Sequence, residues 1–96
     1  METSLNDFTI EELKDLLLYL APGYVASFKN EGLMAYRKLY NLIRAVVKSK
    51  VSESDYAMII EHVINTTKRV TNMTYEELCE MNKTNFEDMQ AAAINL

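Results

Sequence analysis

Ninety-six residues, 49% apolar and 25% charged, form an ordinary composition for a folded chain with one modest core, which disfavours wholesale disorder and a large internal catalytic cavity. Two glycines and one proline provide poorly for tight β-hairpins, and a single cysteine excludes an intramolecular disulfide. The net charge of −4 hides a segregated distribution: residues 29–50 carry six cations and one carboxylate, whereas 1–28 and 51–96 carry −4 and −5.

The start, METSLNDFTIEE, is acidic where a secretory signal needs cations followed by an apolar run. The longest apolar run, Leu16–Ala21, is six residues, far short of the ~20 that span a bilayer. With the lone Cys79, this predicts a cytoplasmic chain that makes no membrane contact. Asn-x-Thr triplets at Asn65, Asn72 and Asn82 match the glycosylation pattern, but a chain that is not secreted would leave them unmodified.

Thr9-Ile10-Glu11-Glu12 fits a capping box, and Phe8 is placed to staple onto Leu13. The first predicted helix runs over 10–20 with Leu13, Leu16, Leu17 and Leu20 on one face. Pro22-Gly23 should end it, because proline lacks an N–H and pushes Ala21 away from helical angles. Residues 24–30 read as a short helix burying Val25 and Phe28, broken at Asn30-Glu31-Gly32. Because an interior glycine costs only ~1 kcal/mol, the alternative is that the next helix extends back to 24.

That next helix, 33–49, is the most periodic. Tyr36, Leu39, Tyr40, Ile43, Val46 and Val47 recur at spacings of three and four. Arg37, Arg44 and Lys48 fall beside Asn41 on a separate face, with Lys38 further round, and are expected to form an exposed basic row. Ser52-Glu53-Ser54-Asp55 opens a helix over 53–70, with Tyr56, Ile59, Ile60, Val63, Thr67 and Val70 inward. A second capping box, Thr74 to Glu77, opens a helix over 75–81, and a third, Thr84 to Glu87, opens one over 85–93. The fold class is therefore all-α: a compact bundle of four to five helices, in a single domain over 1–96.

Catalytic constellations are sparse. His62 and Cys79 are single, and a nucleophilic pair needs contact plus a third orienting group. There is no glycine-rich phosphate cradle, no repeated Glu-x-x-His for a di-metal bundle and no calcium-loop pattern. The pairs Glu12/Asp15 and Glu77/Glu80 are of the kind solvated helix faces produce. The expectation is a non-enzymatic chain without cofactor or metal. Arg37, Lys38, Arg44 and Lys48 are the candidate partner-binding residues, since cations in a row steer an acidic partner. Six Met, six Tyr and three Phe exceed what one small core absorbs. Met58, Met73, Met81 and Met89 cannot all face inward, which predicts a protein partner or a homodimer or higher oligomer. Nucleic-acid binding through the basic face is the alternative. It is opposed by the sequence pI of about 4.9 and by the inward placement of Tyr36 and Tyr40.

The segment VTNMTYEELCEMNKTNFEDMQAAAINL, residues 70–96, resembles the C-terminal stretch of phage tail assembly chaperones in its Glu-Glu-Leu and Phe-x-x-Met pattern. The start LNDFTIEELKDLL resembles the first helix of nuclease-colicin immunity proteins, although their Ser-Asp-Leu-Ile-Tyr-Tyr region has no counterpart here. Both resemblances imply a small helical protein that works by binding another protein: an adaptor, inhibitor or assembly factor of the phage or mobile-element type.

Overall fold

The computed structural model describes residues 5–84, which form helices α1 (Ile10–Ala26), α2 (Met34–Lys50), α3 (Glu53–Val70) and α4 (Tyr75–Thr84), with 3₁₀ turns at Leu5–Asp7 and Glu31–Leu33. The expected all-α bundle is present, with no strand among the described residues. The helix expected over 85–93, with its Thr84–Glu87 box and Met89, lies outside them.

The starts of α1, α3 and α4 follow from local chemistry. The Thr9 hydroxyl accepts the Glu12 N–H at 3.1 Å while Glu12 Oε1 accepts the Thr9 N–H at 2.8 Å. Ser52 Oγ accepts the Asp55 N–H at 3.2 Å. Thr74 and Glu77 close the second box, both bonds at 3.1 Å.

α1 does not stop at Pro22. It runs on to Ala26, so both the short helix over 24–30 and the continuous helix from 24 are corrected. The apolar face Leu13, Leu17, Leu20, Ala21, Tyr24 is buried without interruption across the proline. Burying a ring such as that of Tyr24 is worth roughly 1.5–3 kcal/mol, enough with its neighbours to offset the ~3 kcal/mol of an interior proline. Residues 27–29 then turn, and the Asn30 side chain accepts the Gly32 N–H at 2.9 Å, capping the 3₁₀ turn that leads into α2.

α2 folds back along α1, the most extensive pairing in the molecule, with α3 laid against α1 and α4 against α3. Leu13, Leu17, Leu20 and Tyr24 meet Tyr40, Ile43, Val46 and Val47 in the core, with Val63 entering from α3. The Tyr24 and Tyr40 rings stack at 4.1 Å and 17°. The buried face of α2 is rotated from the expected stripe: Tyr36 and Leu39 are exposed, while Asn41 and Arg44 are buried. The cause is that α2 is covered on two sides, by α1 and by the end of α4. On α3, Val63 and Thr67 are buried as expected and Tyr56, Ile59 and Ile60 are half-buried. Ile64 is buried as well, and Val70, at the helix end, stands in solvent. No helix of the described residues is long and apolar enough to cross a membrane.

Candidate functional site around Arg44

The expected row of exposed cations does not form, because Arg44 is 1% exposed. Its Nη1 donates to the Asn82 carbonyl oxygen at 3.2 Å and to Asn82 Oδ1, and its Nη2 donates to Asn41 Oδ1 at 3.0 Å. The guanidinium lies over the Tyr40 ring at 5.4 Å and that of Tyr24 at 6.0 Å. A buried guanidinium is stabilised by hydrogen bonds and ring faces in just this way. Among the described residues it has no carboxylate partner, and its buried Nε–H has no acceptor. Among the described residues the positive charge is thus held by neutral oxygens and ring faces.

Asn82 is the residue the sequence reading missed. Its Oδ1 also accepts the Tyr40 hydroxyl at 3.2 Å, and its Nδ2 donates to the Leu78 carbonyl at 2.8 Å. The Tyr24 hydroxyl donates to the neighbouring Met81 carbonyl at 3.1 Å. These bonds to 81 and 82 account for α4 continuing to Thr84 rather than stopping near 81. Burial pushes the Tyr40 phenol well above its ordinary range, with Arg44 partly opposing the shift.

The other cations have separate fates. Arg37 closes the end of α1: its Nε donates to Ser27 Oγ at 3.2 Å and its Nη2 to the Ser27 carbonyl at 3.1 Å, with its guanidinium 4.0 Å from the Phe28 ring centroid. Lys48 lies 5.7 Å from the Tyr56 ring centroid. Lys38 is exposed on the outer side of α2. The four candidates are therefore not one surface.

Beside Arg44 the ends of α2, α3 and α4 leave an open cleft of about 500 Å³. Tyr56, Ile60 and Ile64 wall it, and Lys48 and Lys83 contribute positive charge against Glu61. Cys79 lines the cleft, but His62 does not: it is exposed on α3, and Glu61 instead accepts the Tyr75 hydroxyl at 2.6 Å. Glu12 and Glu77, one from each carboxylate pair, are engaged as helix caps. Among the described residues no group of three or more His, Cys, Asp or Glu is placed to hold a metal ion.

A second feature lies where α1 meets the start of α2. The Tyr36 ring sits directly on Gly23. Tyr19 is one turn before Gly23 and 77% exposed; Leu39 is one turn beyond Tyr36 and 42% exposed. Met58, also exposed, stands apart on α3, while Met81 packs against the core. Comparison with protein-family models, curated proteins and solved structures gave no match to this chain.

Proposed function

We propose that this chain is a small helical protein-interaction module, an adaptor, inhibitor or assembly factor of the phage accessory type, that acts in the cytoplasm by binding a partner protein and not by catalysis. The observation that carries the reading is the exposure of three large apolar side chains, Tyr19 on α1 and Tyr36 and Leu39 on α2, within one turn of the point where Tyr36 meets Gly23. Tyrosine rings and aliphatic side chains of this kind anchor interface centres, where they lose water without losing a charge. Tyr19 is 77% exposed and lies outside the buried core of the described residues. Lys38, exposed next to Leu39 in sequence, supplies a rim charge that would orient an acidic partner. The nucleic-acid reading draws less support, since Arg37 and Arg44 are spent inside the fold.

The test compares the wild type with the surface variant Tyr19→Asp/Leu39→Asp, both checked for helicity. Light scattering after size exclusion reads self-association, and capture from the native host, washed at two salt concentrations, reads partners. The reading expects an oligomer, or one protein captured in stoichiometric amount, that the variant loses. A monomer whose captured proteins are the same for both chains would sink it, as would capture of nucleic acid alone.

A further inference from the structure

We propose that the cleft between α2, α3 and α4 binds a small amphipathic carboxylate, an aliphatic acid whose head group is held by Arg44. This site is distinct from the exposed Tyr19, Tyr36 and Leu39 side chains and does not depend on partner binding there.

Three observations converge. The first is the charge: Arg44 is buried, lines the cleft, has a buried Nε–H without an acceptor, and lacks a carboxylate among the described residues. Buried guanidinium groups normally meet an anion, and an N–H left unmade in a dry site is costly. The second is what stands in its place. Asn82 Oδ1, which takes both the Arg44 Nη1 and the Tyr40 hydroxyl, is the neutral counterpart of a carboxylate oxygen. A ligand carboxylate at that position would form charge-assisted bonds, about twice as strong as those to an amide. The third is the shape and lining. A volume of about 500 Å³ lies within the ~300–1,000 Å³ of small-molecule pockets. Its walls are the ring of Tyr56 and the aliphatic chains of Ile60 and Ile64, which suit a hydrocarbon tail. Lys48 and Lys83 keep the local field positive despite Glu61.

The geometry also names the gate. Asn82 lines the cleft near the end of α4, so moving its side chain aside frees Arg44 Nη1 for a ligand while the Leu78 to Asn82 turn stays helical. A carboxylate built into the chain at this position should act as an internal ligand.

Titration of the ¹⁵N-labelled full chain with sodium octanoate, followed through the arginine Nε–H and backbone amide resonances, tests this, with 1-octanol as the uncharged probe. Octanoate should shift the Arg44 Nε–H and the amides of Ile60, Ile64 and Lys83 saturably, and octanol should leave the Nε–H in place. Two variants keep the test independent of Arg44's own role in folding. Ala57→Trp fills the cleft from the exposed surface of α3, and Asn82→Asp supplies the internal carboxylate. Each should weaken octanoate binding by at least about tenfold, the factor expected for losing a bond to a charged group or its site. Asn82→Asp should in addition raise the midpoint of thermal unfolding. The proposal is overturned by an absence of saturable shifts, by equal response of the Arg44 Nε–H to octanol, or by undiminished binding in a folded Ala57→Trp chain.

Discussion

The ring of Tyr36 fills the space that a side chain at position 23 would need. A Cβ built on Gly23 would collide with Tyr36 Cδ1 and lie 2.6 Å from Tyr36 Cγ. Because Cγ is the root of the ring, a small tilt cannot relieve the contact, and the whole side chain must leave. Gly23 is therefore kept for closeness of approach, at a position where helix propensity would favour alanine by ~1 kcal/mol. Gly23→Ala is expected to destabilise the fold by up to about 2 kcal/mol net, the overpacking cost of ~1–3 kcal/mol less the propensity gain of ~1 kcal/mol. In a Tyr36→Ala background the same change should stabilise it. Urea unfolding of the four chains of the cycle reads the coupling, and additive effects would show that the ring moves away freely.

Arg37 closes the end of α1 from the facing helix. It holds both the hydroxyl and the carbonyl of Ser27, whose own N–H reaches back to the Gly23 carbonyl at 2.9 Å. Removing the fork leaves a helix C-terminus less well satisfied and strips the cation from the Phe28 ring. Arg37→Gln should cost about 1–2 kcal/mol, with the loss concentrated in the last turn of α1. Hydrogen exchange of the Val25 to Ser27 amides is the direct reading. Protection there equal to that of the wild type would mean the cap is decorative.

The features visible in the sequence are those whose causes lie within four residues. Thr9 with Glu12, Ser52 with Asp55, and Thr74 with Glu77 are local bonds, and the structure contains all three. The apolar spacing of α1 up to Leu20 is equally local. Pro22 misled because its local penalty is outweighed by tertiary burial of Tyr24 against Tyr40, sixteen positions away. Arg44 misled for the same reason at longer range, since Nη1 is held by Asn82, far along the chain. One signal was available: Arg44 is flanked by Ile43 and by Ala45, Val46 and Val47, with Asn41 one turn behind, a setting in which a solvated arginine is out of place. Arg37 has no such flanks, and its role as a cap could not be read without knowing where α1 ends.

Pro22 lies inside α1 without an N–H to donate to the Leu18 carbonyl, yet the helix runs on for a further turn. Pro22→Ala restores that donor and relieves Ala21 of its restriction, while loosening the unfolded chain. A gain of roughly 2 kcal/mol is expected from denaturant unfolding, the ~3 kcal/mol helix-interior penalty less the ~0.4–1 kcal/mol entropic term. A loss would mean that the proline ring packs in a way alanine cannot replace.

Glu77 couples the start of α4 to pH. The backbone N–H and hydroxyl of Thr74 hold its carboxyl below its ordinary value of 4.5. A carboxyl with a lower folded value binds fewer protons in the native state than in the unfolded one. Its contribution is therefore fully present above its ordinary value and is lost as pH falls through the folded one. Unfolding free energy of the wild type should fall more steeply than that of Glu77→Gln between about pH 5 and about pH 3. Parallel curves for the two chains would show that the box closes without the charge.

Arg44 and Asn82 depend on each other across 38 positions. Either partner alone is a liability: Asn82 without Arg44 leaves acceptors partly unmade, and Arg44 without Asn82 leaves a buried cation holding only Asn41 and two ring faces. Removing one half of such a pair costs its desolvation, whereas replacing both halves with apolar groups of similar shape restores a dry, satisfied contact. Arg44→Met and Asn82→Leu should each destabilise by about 1–3 kcal/mol, and the double variant should be no less stable than the weaker single. Arg44→Lys should rank with Arg44→Met and not with the wild type, since one ammonium cannot reach Asn41 and Asn82 in the planar spread of a guanidinium. Denaturant midpoints of the four chains measure the coupling. Losses that simply add would mean that α4 is held by Leu78 and the Tyr24–Met81 bond alone, with the arginine contributing charge but no attachment.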